Sequence, residues 1–222
     1  MDSRWLRNIK STRQLSIFPG SSLTASWAKV FSDALQEFNK LSSALSLGVT
    51  LTRGLTKPTP ALTGANVHLE ATDAAITFDS FVGQVTITIA GSGTAGRTKS
   101  PISPSIGRIG QSFICVPLAP QVLAPGGILR EAGDPIKLVI LVHEIIHALG
   151  LDDHTSLSDP DLFIAVLSDV PDADPAKDQE DVGSRKKVPP LFLAKQTVTR
   201  IQSLWLLPDP VIHIPHTFGI WL

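Results

Sequence analysis

The segment His143-Glu144-Ile145-Ile146-His147 holds two histidines four residues apart, with a glutamate directly after the first. Residues four apart share one face of an α-helix, so His143 and His147 can offer two imidazoles to a single metal ion. Glu144 then stands beside the ion rather than on it. A carboxylate in that place can take a proton from a water that the metal has made acidic. These residue types at this spacing suit hydrolysis by a metal-activated water, with Glu144 as general base.

The residues that follow extend the pattern to His143-Glu144-x-x-His147-x-x-Gly150-x-x-Asp153, with His154 next. Gly150 is placed to end the helix, because glycine enters the left-handed region without steric cost and can reverse the chain toward the metal. Counting along the pattern puts the third ligand on Asp153. Imidazole is the commoner zinc ligand, and a bulge of one residue brings in His154 as the alternative.

Residues 143–151, HEIIHALGL, resemble the zinc motif of the metzincin clan of endopeptidases and are most similar to the matrixins. The order aspartate then histidine at Asp153-His154 resembles the snapalysin-like members. The resemblance implies a Zn2+ cofactor on His143, His147 and Asp153, with His154 as alternative third ligand, Glu144 as the catalytic residue, and a peptide or protein as substrate. Metzincins also carry a methionine in a tight turn beneath the metal, but here Met1 is the only methionine. The matching segment is Asp159-Pro160-Asp161-Leu162-Phe163, in which Phe163 or Leu162 supplies the apolar floor. The chain has no tyrosine to hold an oxyanion, so the charge developing on a scissile carbonyl falls to the metal.

Composition bounds the alternatives. The 222 residues carry 19 basic against 20 acidic side chains, a net charge of −1, with no basic stripe to attract nucleic acid or an anionic membrane. One cysteine, Cys115, excludes an internal disulfide and a cysteine-rich metal site, and its neighbours predict a buried strand thiol. The first residues are charged and lack an apolar core of the kind a secretory signal has; an extracellular location is favoured by the resemblance alone. The longest apolar run is too short for a bilayer, so a soluble monomer is expected.

Several elements must position the site. Residues 13–18 predict a strand ending at Pro19-Gly20, then a helix capped by Ser21 or Ser22, with Trp27, Val30, Phe31, Leu35, Phe38, Leu41 and Leu45 on one face and Gly48 closing it. Residues 49–53, 67–71, 77–90 and 109–116 predict strands, and 91–110 an irregular surface loop. Asp134 predicts the N-cap of a buried helix over 136–149, with Pro135 at its first position. Residues 169–187 predict a solvated loop, and 191–205 a last helix whose VTRIQSLW text resembles the end of matrixin catalytic domains. The expected fold is α+β: a twisted mixed sheet packed on two long helices, with a smaller C-terminal subdomain ending in a helix. A single domain over 1–222 would divide at about 13–150 and 151–205, leaving 206–222 as a tail.

Two further readings compete with a peptidase. One is a catalytically inactive zinc-binding or protein-interaction module, against which the intact Glu144 speaks. The other treats His143 and His147 as core histidines of a protein without metal. His68, His213 and His216 are assigned structural or surface roles. Glu180 would serve as third ligand only in a thermolysin-like site, which the Gly150 turn does not fit.

Overall fold

A computed structural model describes residues 2–89, 96–124, 128–155, 162–163 and 191–208. In chain order its elements are α1 (Arg7–Thr12), β1 (Gln14–Pro19), α2 (Ala25–Leu45), β2 (Thr50–Arg53), β3 (Val67–Ala71), β4 (Ala75–Ser80) and β5 (Gly83–Thr88). There follow β6 (Arg97–Lys99), β7 (Ser112–Val116), β8 (Gln121–Ala124), β9 (Ile128–Glu131), α3 (Asp134–Ala148) and α4 (Lys195–Trp205).

The central sheet has the order β2-β1-β3-β7-β6, parallel throughout except for the antiparallel edge strand β6. Period-two alternation decides which side chains meet which layer. Val67, Leu69, Ile114 and Val116 face the main core, where they join Trp27, Phe31 and Phe38 of α2 and Val142, Ile145 and Ile146 of α3. Phe113 and Cys115 face the other way, under Phe78 and Ile87 of the β4–β5 hairpin. Both central strands are buried along their whole length, as a strand covered on both faces must be. Ile201, Leu204 and Trp205 of α4 belong to the same core as the sheet.

The structure thus has a mixed, mostly parallel sheet, two antiparallel hairpins and four helices among the described residues. No described helix is long and apolar enough to cross a membrane. Cys115 is fully buried, and that burial, reinforced by the negative Glu70 and Glu144, pushes its thiol up to about 12. His68 is likewise buried, with Nε2 2.8 Å from Glu70 Oε1.

Several local expectations are corrected. The strand expected over 77–90 is two strands, because Ser80 Oγ bonds Gly83 O at 2.6 Å and Gly83 takes a φ of 111°, which closes a hairpin. Thr24, not Ser21 or Ser22, caps α2 by accepting from Trp27 N, since Ser22 is taken up by the Glu70 carboxylate. Gly133 holds the N-cap position of α3, and Asp134, one residue inside, bonds Ser26 Oγ and Lys29 Nζ. Part of the loop expected over 91–110 is strand β6, paired with β7 from Arg97 opposite Cys115 to Lys99 opposite Phe113. Helix α1 and the β8–β9 hairpin carry no clear periodic signal and were not foreseen. The expected loop over 169–187 with Glu180, and residues 209–222 of the tail expected over 206–222, with His213 and His216, lie outside the described residues.

Candidate metal centre

Helix α3 is apolar nearly all round and mostly buried from Ile136 to Ala148, with His143 buried and His147 partly so, and its two histidines therefore emerge from the core rather than from a surface helix. One helical turn apart, the rings of His143 and His147 have centroids separated by 5.2 Å. Their outer nitrogens are fixed by carbonyls. His143 Nδ1 lies 3.0 Å from Leu162 O and His147 Nδ1 lies 2.8 Å from Leu151 O. A carbonyl only accepts, so both rings carry their proton on Nδ1 and present Nε2 as a bare lone pair.

The chain returns to these lone pairs through the turn at Gly150. Its φ of 111° belongs to the region that favours glycine, and its amide bonds His147 O at 2.9 Å. A side chain there would also meet Ser3 O at 2.1 Å. Two indoles secure the end of α3: Trp5 Nε1 donates to Ala148 O at 3.0 Å, and Trp205 Nε1 to Leu149 O at 3.1 Å. Carbonyls that the last helical turn leaves without a partner are thereby satisfied inside the core.

Past the turn, His154 reaches back. Its Nε2 lies 3.1 Å from His143 Nε2 and 3.1 Å from His147 Nε2. Of the two candidates for third ligand, it is His154 whose nitrogen converges with those of His143 and His147, while Asp153 is exposed and outside that set. The backbone past Leu151 is neither helix nor strand and bends at Asp153, and along this turn it is the imidazole of His154 that comes to the two helical histidines.

The three nitrogens pass a test for a cation. With two bare lone pairs facing it, His154 can donate one proton to one of them and leaves the other in an unrelieved contact. A tetrahedral ion bound at ~2.0–2.1 Å would hold its nitrogen ligands about 3.3 Å apart, close to the spacing found. Burial holds the His143 imidazole down to about 3, with His147 beside it acting in the same direction. Burial likewise holds His147 down to about 4 and lowers His154, on which the Arg200 charge also acts. Neutral rings at ordinary pH are what a metal requires. This cluster can bind a metal ion.

Phe163 forms the floor. It is fully buried, and its ring centroid lies 5.2, 4.6 and 5.3 Å from those of His143, His147 and His154. Leu162, the other candidate, contributes its carbonyl to His143 instead. The rest of the 159–163 segment lies outside the described residues.

Glu144 lies on another side of the helix, against the edge strand. Thr98 Oγ1 is 2.6 Å from its Oε2, and a side chain at Gly96 would meet Glu144 Cγ at 2.7 Å. Burial raises the carboxyl to about 7, while the Thr98 bond and the Arg97 charge act against that rise. Sequence reasoning missed Thr98, Arg97 and Gly96 because Gly, Ser and Pro around them gave the text of a loop. A small cavity of about 110 Å³ adjoins the site, lined by Thr98, Ser100 and Ile102 on one side and His147, Gly150 and Asp152 on the other.

Compared with models of known protein families the chain matches none, and it matches no curated protein.

Proposed function

We propose that this chain is a zinc-dependent endopeptidase of metzincin type, in which His143, His147 and His154 hold the metal and Glu144 is the general base. The observation that carries the reading is the pairing of three converging imidazole nitrogens with a buried carboxyl on the residue next to the first of them. A site made of imidazoles suits zinc among the divalent metals. When bound, the metal would supply a Lewis acid that turns water into a nucleophile at neutral pH and polarises a peptide carbonyl.

The chain's own residues do the rest. Glu144 accepts the proton of the attacking water and returns it to the leaving amine, a role for which a pKa near neutrality is suited. Thr98 holds Oε2, and no described residue bonds Oε1, which leaves that oxygen to receive the proton. Among the described strands β6 pairs only with β7, and an edge strand beside the base is where an extended peptide would add. Phe163 keeps the floor of the site dry. The absence of any tyrosine leaves the developing oxyanion to the metal.

The test is Glu144→Gln in the metal-loaded protein, assayed on an unstructured protein substrate. Hydrolysis should fall by about 10²–10⁴-fold while metal content stays at the wild-type level. A wild-type protein that binds zinc but cleaves nothing would support a metal-binding module in place of an enzyme.

A further inference from the structure

Of the three imidazoles, His154 has the least support from its own element. His143 and His147 are built into α3, whereas His154 is exposed on a loop. Bonds to the residues around it do what a helix does for the other two. Arg200 Nη2 donates to Asp153 O at 2.6 Å, on one side of His154. On the other side the hydroxyls of Thr155 and Thr197 pair at 2.5 Å, and Thr155 N donates to Phe163 O at 2.8 Å. Arg200 and Thr197 both belong to α4, so that helix grips the loop before and after the ligand.

Arg200 is itself held in place. Its Nε lies 2.8 Å from Asp2 Oδ2 and its Nη2 lies 2.6 Å from Asp2 Oδ1, and Asp152 N donates to that same Oδ1 at 3.2 Å. The pair is largely removed from solvent, with side chains 19 % and 24 % exposed, so water screens it less than an open surface pair. The guanidinium carbon also stands 5.9 Å from the ring centroid of Phe163, the floor of the three imidazoles. One planar group thus touches the N-terminal segment, the ligand loop and the floor.

We propose that Arg200, oriented by Asp2, is a positioning residue that sets His154 in the metal site, and that the segment around Asp2 is therefore part of the metal-binding apparatus. The proposal rests on the metal-site reading above. Its chemistry is that of a forked donor: the guanidinium serves a carboxylate and a carbonyl at once, which a single ammonium on a flexible stem does not reproduce.

The full chain, stripped of metal, is titrated with zinc against a competing chelator, and cobalt(II) is used in parallel to read ligand geometry from its visible spectrum. Wild type should take up one metal per chain. Arg200→Ala and Asp2→Asn should each weaken zinc binding by about 10–100-fold and alter the cobalt spectrum, with Arg200→Lys recovering only part. In a His154→Ala background, Arg200→Ala should cost nothing further, because its effect passes through the ligand already removed. Wild-type affinity in Arg200→Ala, or the same loss with and without His154, would overturn the proposal and leave Arg200 a brace of the fold. Should Arg200→Ala fail to fold, Asp2→Asn decides alone: unchanged affinity with an unchanged cobalt spectrum overturns it. A wild-type chain that takes up no stoichiometric metal would instead overturn the metal reading, and this inference with it.

Discussion

Thr98 Oγ1 lies 2.6 Å from Glu144 Oε2 and 3.0 Å from the carbonyl oxygen of the same residue, so one hydroxyl on the edge strand braces both the base and the helix that carries it. A hydroxyl has a single proton to give. It donates to the ionised carboxylate, and with the proton on Oε1 it still donates to Oε2 or to the carbonyl, so both forms of Glu144 keep a partner.

Thr98→Val removes the bond that opposes the burial-driven rise of the Glu144 carboxyl. A base must be ionised, so the rate climbs as pH rises through its pKa. The acidic limb of kcat/KM for peptide hydrolysis should accordingly move to higher pH in the variant. A limb that stays in place would separate Thr98 from the base.

The two candidates for third ligand are now distinguishable by metal affinity. His154→Ala removes one of the three converging nitrogens and should lose zinc severely in equilibrium dialysis against a zinc buffer. Asp153→Ala should keep near-stoichiometric metal, because the variant retains the backbone carbonyl through which residue 153 meets Arg200. Metal retained by the first variant and lost by the second would return the ligand to Asp153.

Acid should destabilise the metal-free protein. Imidazoles titrate near 6.5 in an unfolded chain, whereas burial holds His143 to about 3 and His147 to about 4. Their contribution is present above about pH 6.5 and is lost as pH falls toward those folded values, because the unfolded state then binds more protons. Glu144 has the opposite sign: raised to about 7 by burial, its contribution is present below its ordinary value of 4.5 and is lost as pH rises through 7. Between those limits two imidazoles oppose one carboxyl, so the melting temperature should drop on going from about pH 6.5 to about pH 5. A melting temperature that rises over this interval would show that the histidines are not held neutral by the fold.

Trp5→Phe keeps most of the buried ring but removes the donor to Ala148 O at the end of α3. An orphaned carbonyl in the core should destabilise the protein by about 1–3 kcal/mol in urea unfolding. A loss well under that range would mean that another donor, or water, reaches the helix end.

The residues within one helical turn were open to the sequence alone. His143, Glu144 and His147 are related by helical periodicity, which local chain geometry imposes, and Gly150 by its freedom to take positive φ. The long amphipathic helix α2 and the buried strand β3 were legible for the same reason: a repeating apolar pattern encodes its own face. What periodicity cannot carry is the meeting of distant segments. Asp153 and His154 are adjacent in the chain and both are plausible ligands, and only the course of the backbone past Leu151 selects the imidazole. Thr98, 46 residues before Glu144, and Asp2, 198 before Arg200, reach their partners through the edge position of β6 and the docking of α4 on the core. Those contacts follow from how apolar faces pack together, and a polar side chain carried along by that packing leaves no periodic mark in the sequence.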